Sequence, residues 1–291
     1  MLSEHDTPPA MTDHRLEFEF ASAAVDRLRR EGFDQAVAFV QTGSGIPLPA
    51  LSDRQSLAWS EIDGMPRATA PGHRGAFHFG ICRGAPLLVV EGRLHGYEGY
   101  PKAHVIRPVR VAGLLGVRRA ILTNSCGGVR ESLRAGDLLR VTDHVNLMGW
   151  DALTGIHDPR FGDRFTVLAG RCHDGRLAAL ADSAAARLGL PLSTGVYGGV
   201  HGPSFETTAQ VRAMRTLGVD LCGMSTVPEL SALAQLGVRV VVLSLIANAC
   251  GIVQDGKTAE SEVLEAGERM GARLTALVEE LVASIARGDD R

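Results

Sequence analysis

Short runs of β-branched and other apolar residues alternate along the chain with longer stretches whose apolar positions recur at helical spacing, and this alternation predicts an α/β fold. The runs Ala36–Gln41, Pro86–Glu91, Ala120–Thr123, Leu138–Thr142, Val196–Val200, Asp220–Cys222 and Val238–Ile246 predict strands. Several are apolar at consecutive positions, as in strands covered on both faces. Between them, Arg15–Glu31, Tyr100–Leu115, Arg176–Leu188, Thr207–Leu217, Val227–Leu236 and Ala259–Ala286 predict helices, expected on both faces of the sheet. The last is amphipathic through Val263, Leu264, Met270, Leu274, Leu277 and Leu281. Thr226-Val227-Pro228-Glu229 reads as a capping box with proline in the first turn. From Met148 to Asp174 the periodicity stops and glycines intervene, which predicts a long ordered loop or a contact between subunits. Residues 1–12 are expected to be disordered and 13–291 to form one domain.

Composition narrows the class. At 291 residues, 45% hydrophobic and 22% charged, the chain is a globular one rather than a coiled coil or a disordered segment. A chain of this length buries about three quarters of its unfolded surface, so its core needs no disulfide or metal staple. Five widely spaced cysteines without a Cys-x-x-Cys pair argue against a disulfide framework or a zinc site, and a reducing cytoplasm is the expectation. The first twenty residues carry five acidic residues and no apolar segment, unlike a signal peptide. The best apolar stretch, Val240–Gln254, is free of charge for only fifteen residues, short of the roughly 20 a bilayer needs. A net charge of -3 offers no basic field for nucleic acid. Only Lys102 and Lys257 are lysine against 28 arginines, a bias that reads as codon usage because no arginine cluster stands out.

The candidate chemistry lies where polar, glycine-rich sequence follows strand after strand, because ligands of open sheets gather at strand carboxyl ends. Thr42-Gly43-Ser44-Gly45 follows the first strand, Gly92-Arg93-Leu94-His95-Gly96-Tyr97-Glu98-Gly99-Tyr100 the second and Thr123-Asn124-Ser125-Cys126-Gly127-Gly128 the third. Glycine lets backbone N–H groups approach an oxyanion, serine adds a donor and arginine supplies a planar fork. Singly, each loop is equally an ordinary turn or surface pair; recurrence at three strand ends points to an anion. Gly43-x-Gly45 lacks the third glycine of a dinucleotide fingerprint and there is no Walker lysine, so phosphate fits better than a dinucleotide.

A second group follows in Gly202-Pro203-Ser204-Phe205-Glu206-Thr207-Thr208, Gly223-Met224-Ser225-Thr226 and Ser244-Leu245-Ile246-Ala247-Asn248-Ala249. Glu206 in a first helical turn is stabilised by about 0.3 to 1 kcal/mol without any function. Asn248 equally closes an Asx turn or offers an acceptor and two donors to a heterocycle edge.

Taken together these residues resemble the trimeric class of purine nucleoside phosphorylases, over about Val37 to Met270. The motifs are Gly43-Ser44-Gly45, Pro71-Gly72-His73, Gly92-Arg93-x-His95-x-Tyr97-Glu98-Gly99-Tyr100, Thr123-Asn124-x-x-Gly127-Gly128, Gly136-Asp137, Asp143-His144-x-Asn146-Leu147, Phe161-Gly162-Asp163-Arg164-Phe165, Gly202-Pro203-Ser204-Phe205-Glu206-Thr207, Gly223-Met224-Ser225-Thr226-Val227-Pro228-Glu229 and Ser244-Leu245-Ile246-x-Asn248. None is specific alone; in family order they are. The resemblance implies a single α/β domain with a distorted mixed sheet, a homotrimer, and reversible phosphorolysis of purine nucleosides to base and pentose 1-phosphate. It implies no metal or organic cofactor, only inorganic phosphate as co-substrate, and no nucleic-acid or membrane partner.

Carried over by position, the resemblance implies phosphate on Ser44, Arg93, His95, the Ser125 backbone N–H and Ser225. Tyr97 and the Met224 backbone would take the ribose hydroxyls, Phe205 and a neighbouring subunit's Phe165 would wall the nucleoside, and Glu206 and Asn248 would hold the purine edge. Asn248, Glu206 and His95 would be the catalytic residues. A carboxylate accepts only, so Glu206 suits the N1–H of a 6-oxopurine. Glu260, Ala247 and His201 depart from the family pattern and leave the choice of base open; the resemblance implies a place near the sugar 5'-hydroxyl for Glu260, and a solvated helix residue is the other reading. The alternatives are a methylthioadenosine phosphorylase, against which Asn248 speaks, a silent nucleoside-binding protein, and a hydrolase.

Overall fold

The computed structural model describes residues 12–70, 72–251 and 259–288, apart from the side chains of residues 259, 260 and 262–264. The elements run α1 (His14–Arg30), β1 (Ala38–Gln41), β2 (Ser52–Ala58), β3 (Ala76–Cys82), β4 (Ala85–Glu91), α2 (Lys102–Leu114), β5 (Arg119–Gly128), β6 (Leu138–Asn146), α3 (Gly175–Arg187), β7 (Leu192–Gly199), α4 (Thr208–Thr216), β8 (Leu221–Gly223), α5 (Val227–Gln235), β9 (Arg239–Ala249) and α6 (Ala259–Ala286). The strands form one sheet in the order β2-β3-β4-β1-β5-β8-β7-β6-β9, and β9 pairs back onto β5. That last pairing closes β5, β8, β7, β6 and β9 into a small barrel, from which β1, β4, β3 and β2 extend as an open wing. Pairing is mixed: β1–β4, β1–β5, β5–β9, β6–β7 and β7–β8 are parallel, while β2–β3, β3–β4, β5–β8 and β6–β9 are antiparallel.

The period-2 alternation of strand side chains explains why helices cover both faces. Phe39, Leu88, Val90, Leu122, Val240 and Val242 point into one core with α1, α2 and α5. Their neighbours Val40, Leu87, Val89, Ile121, Val241 and Leu243 point into a second core with α3 and α6. Each such fully buried side chain contributes roughly 1.5–3 kcal/mol. All six helices fall where the spacing predicts them.

Three expectations are corrected. First, β2 and β3 were not foreseen: β2 is an edge strand exposed over most of its length, and Arg83 takes a left-handed conformation in the β3–β4 turn that favours glycine. Second, β5 and β9 run on past the predicted ends Thr123 and Ile246 to take in Asn124–Gly128 and Ala247–Ala249, because the two strands pair side by side as far as Gly128 and Ala249. Third, Thr226 does not form a capping box: it holds φ +71° and caps no backbone N–H, since its side chain and that of Glu229 are engaged elsewhere.

Two anchors place what surrounds the strand ends. On α6, a Cβ at Gly267 would lie 2.7–2.9 Å from the Gly45 backbone, and one at Gly271 would lie 2.7 Å from Pro47 Cδ. Thr275 Oγ1, a further turn on, donates to the Pro47 carbonyl at 2.8 Å. The helix thus presses a side-chain-free stripe onto the loop after β1. On the opposite face, the buried Arg110 guanidinium stacks 3.8 Å from the Phe161 ring and donates to Gln235 Oε1 at 3.0 Å, which ties the 148–174 stretch to α2 and α5. Burial pushes the Arg110 pKa down to about 9. The expected disorder over 1–12 lies outside the described residues except at Thr12, whose carbonyl accepts from Ile156 N at 2.8 Å. Among the described residues no helix is long and apolar enough to cross a membrane.

The close approach of α6 predicts that Gly267→Ala lowers the unfolding free energy by about 1–3 kcal/mol. Urea denaturation measures it; an unchanged midpoint would mean that the helix does not bear on the loop.

Candidate active site

The loop after β1, the loop after β4 and the second half of β5 meet at the junction between wing and barrel. Thr123 Oγ1 stitches the first of these to β5, donating to the Gln41 carbonyl at 3.1 Å and accepting from Gly43 N at 3.2 Å. Ser125 Oγ donates to the Ser44 carbonyl at 3.0 Å. Gln41 Nε2 donates to the Gly92 carbonyl and so fixes the start of the β4 loop. These bonds bring Ser44, Arg93, His95 and Ser125 to one place.

Arg93 is 2% exposed. Its Nε and Nη2 donate to the two carboxylate oxygens of Glu229 at 2.7 and 2.9 Å, and its Nη1 donates to the Thr123 carbonyl at 3.1 Å. A guanidinium carries five N–H groups, so one on each terminal nitrogen is left for a further acceptor. Glu229 therefore neutralises and aims the arginine. The same helix start is bonded to β5 through Asn124 Nδ2, which donates to Thr226 Oγ1 at 3.0 Å, and Ser225 Oγ lies 3.1 Å from that hydroxyl. Ser225 is buried, as are Arg93 and Thr123.

His95 is buried and stacks on Tyr97, with ring centroids 4.8 Å apart and 14° between planes. Its Nδ1 lies 3.1 Å from Glu98 Oε1, which also accepts from the His95 backbone N–H at 2.6 Å. Burial alone would raise the Glu98 pKa, but hydrogen bonds from His95 and Thr69 outweigh it and hold the carboxyl at about 2. An ionised carboxylate only accepts, so His95 Nδ1 carries a hydrogen and Nε2 is the free face. His73 completes the group: its Nε2 is 3.0 Å from Ser44 Oγ and its ring centroid 5.2 Å from that of His95. Burial, helped by the charges of His95 and Arg93, pushes the His73 pKa down to about 3, so it is neutral.

The other residues line up along the barrel mouth. Gly202, at φ +72°, packs on Met224 and Tyr97 so closely that a Cβ would be 3.0 Å from Tyr97 Cδ1. Asn248 ends β9 in register with Gly127, half-buried. Its Oδ1 and Cys250 Sγ both face the position of a Gly127 Cβ. Glu206 is half-buried with its carboxylate within 4.8 Å of the Cys222 and Cys250 thiols, which are 2.9 Å apart. All five cysteines are free. Phe205 is 46% and Phe165 87% exposed. His201 lies at the rim, where Trp150 Nε1 donates to its Nδ1 at 2.9 Å and leaves Nε2 as the hydrogen-bearing nitrogen of the neutral ring. The Glu260 side chain and Pro71 lie outside the described residues.

The expected anion ligands are thus brought together, the base and sugar candidates border them, and Phe165 stands apart on the surface. Three further residues restrain these groups without being expected at the site: His73, Glu98 and Glu229, the last of which reads in the sequence as part of a helix cap. Nothing in their local sequence marks them, because each acts on a side chain rather than on a ligand loop of its own.

The chain matches the model of the Phosphorylase superfamily over residues 39–283. It is 40% identical over 242 residues to "Purine nucleoside phosphorylase 1" of Bacillus subtilis (strain 168), covering 83% of this chain and 89% of the relative. It is 38% identical over 260 residues to "Purine nucleoside phosphorylase" of Bos taurus, covering 86% and 89%. The crystal structure of Schistosoma mansoni purine nucleoside phosphorylase in complex with inosine superposes with a TM-score of 0.83 at 29% identity, covering 91% of this chain and 96% of that one.

Both unusual ionisations at the anion pocket oppose acid. His73 has a folded pKa of about 3 against an ordinary 6.5, so between those values the unfolded chain binds the extra proton and stability falls as pH drops. Glu98, at about 2 against 4.5, adds a loss only below pH 4.5. Urea unfolding between pH 6.5 and 4.5 therefore isolates the histidine from Glu98. His73→Gln should fall less steeply than the parent chain; equal slopes would refute a buried neutral His73.

Proposed function

The chain belongs to the purine nucleoside phosphorylases of the Phosphorylase superfamily, and we propose that the site described above carries out reversible phosphorolysis of 6-oxopurine nucleosides. The observation that carries the assignment of residues is the convergence of Ser44, Arg93, His95 and Ser125 from three separate chain crossings, cross-linked by Thr123 and Ser125.

Inorganic phosphate is the co-substrate, taken by the two spare Arg93 N–H groups, His95 Nε2, the Ser44 and Ser225 hydroxyls and the Ser125 backbone N–H. His73 joins them through its bond to Ser44. Breaking the glycosidic bond builds positive charge on the sugar and negative charge on the departing purine. The phosphate anion beneath the sugar carbon steadies the first and acts as nucleophile, so the protein supplies positioning and electrostatics rather than proton abstraction. Since Arg93 is already neutralised by Glu229, phosphate keeps its charge for the sugar. Tyr97, locked by stacking on His95, and the Met224 backbone hold the ribose hydroxyls.

At the base, Asn248 donates to N7 as charge gathers there and Glu206 accepts from N1–H. Adenine presents a bare N1 to that carboxylate, which disfavours it. Phe205 walls one side of the nucleoside, and Phe165, 87% exposed on its own chain, completes the wall of a neighbouring subunit in a homotrimer. Glu260 takes the sugar 5'-hydroxyl. The free cysteines suit the reducing cytoplasm.

Inosine cleavage should require added phosphate; cleavage at the same rate without it would make the enzyme a hydrolase. Arg93→Ala should raise the phosphate KM far more than the inosine KM, because it also strands the buried Glu229 carboxylate beside the anion. Arg93→Ala/Glu229→Gln should recover part of that loss, and a rise confined to the inosine KM would move Arg93 off the phosphate. Asn248→Asp should shift the adenosine-to-inosine ratio of kcat/KM upward by about tenfold, the worth of one misplaced buried hydrogen bond; an unchanged ratio would remove Asn248 from the base.

A further inference from the structure

Away from the phosphate and nucleoside residues, β6 and the segment ahead of α3 bring Asp143, His144 and His173 together, with their ligand atoms all within 4.8 Å of one another. We propose that these three residues bind a divalent transition cation of the zinc class, which clasps β6 to the start of α3.

The backbone explains how two neighbours on one strand share a site. Successive strand residues normally point to opposite faces. Along the β6–β7 pairing, however, the register shifts between Val141 and Asp143, so that Thr142 is an extra residue. Such a bulge re-aims the side chains beside it. Asp143 Oδ1 also accepts from the His144 backbone N–H at 2.8 Å, which holds the carboxylate over the histidine. From the other side His173 is pinned between two anchored residues. Cys172 Sγ donates to the Leu230 carbonyl, and Asp174 both accepts from the Arg176 and Leu177 backbone and donates from its own N–H to the Val240 carbonyl at 2.8 Å.

The imidazoles meet nitrogen to nitrogen, His144 Nδ1 to His173 Nε2, at 3.1 Å. Two imidazole nitrogens bound at 2.0–2.1 Å in a tetrahedral arrangement are about 3.3 Å apart, so a cation fits between them with a small side-chain adjustment. The nearby cation Arg140 is drawn away by a two-pronged pair with Asp182 at 2.8 Å. Among the described residues Asp143 makes no ion pair, and it is exposed, with both histidines half-buried, so an ion has a route in and a water completes the coordination. Two nitrogens and one oxygen select zinc, cobalt or nickel over the oxygen-seeking magnesium and calcium. The ends of the 148–174 stretch, which carries Phe165, flank the site, so the ion would close the base of that loop.

The test uses the full chain dialysed against a chelator, then titrated with Zn2+ and with Co2+. Expected are one Zn2+ per chain by calorimetry, a raised Tm reversed by chelator, and a cobalt spectrum with the visible bands of a four-coordinate nitrogen and oxygen site. His173→Phe and the exposed Asp143→Asn should each weaken binding at least about tenfold and remove the Tm shift. The proposal is overturned if the parent chain binds no stoichiometric ion or if both variants bind as well as it does. It is equally overturned if cobalt shows thiolate charge-transfer bands, which would place the ion at Glu206, Cys222 and Cys250, the other described cluster able to hold a metal.

Discussion

A guanidinium and a carboxylate, each almost wholly removed from water, meet beside the strand that joins the wing to the barrel, and the candidate site is organised around their pairing. Removing both charges from solvent costs several kcal/mol apiece, and only the two-pronged geometry and the Thr123 carbonyl offset it. In exchange Arg93 loses its rotamer freedom before any ligand arrives. A donor that is already aimed needs no reorganisation when charge develops, which is where electrostatic catalysis gains most. The pair is neutral as a whole, so an anion is drawn in by directed N–H and O–H groups rather than by net charge. This suits a chain whose overall charge is -3.

The same strand explains why one location serves both phosphate and nucleoside. β5 pairs with β9 along one edge, while its other edge pairs with β1 over Ala120–Leu122 and with β8 at Gly127 and Gly128, so the strand runs from the wing into the barrel. The candidate phosphate groups come from the wing loops, from β5 and from Ser225 ahead of α5, and the candidate base groups from Asn248 on β9 and Glu206 between β7 and α4. The distance between nucleophile and leaving group is thereby set by rigid sheet geometry and not by loop conformation. The glycines of α6 extend this rigidity to the Ser44 loop, which is held against a helix without any intervening side chain.

Histidine chemistry is divided among neighbours by environment. His73 is kept neutral by burial and by adjacent cations, whereas His95 has one nitrogen committed to an ionised Glu98 and the other free. His144 and His173 face each other at a strand bulge. One residue type thus serves as a spacer, as an anion ligand and as a candidate cation ligand.

Much of this was legible in the chain. Hydrophobic period locates the six helices and seven of the strands, and the recurrence of glycine and serine after successive strands points to the loops of Ser44, Arg93, His95 and Ser125 as candidate anion ligands. The motifs also placed Glu206 and Asn248. The exposed β2 carries no period because an edge strand with little buried surface needs none, and Asn124–Gly128 reads as a loop because its small polar and glycine residues, though mostly buried, lack the β-branched signal of a strand.

Local pattern therefore determined the elements and the family and singled out the candidate ligand side chains, since those depend on residues a few positions apart. It did not determine which side chains restrain them. Arg93 and Glu229 are 136 residues apart, and Thr226 and Glu229 spelled a helix cap until the fold offered them Asn124 and Arg93. A carboxylate goes to the partner that best repays its desolvation, and only the closed barrel decides which partner is within reach.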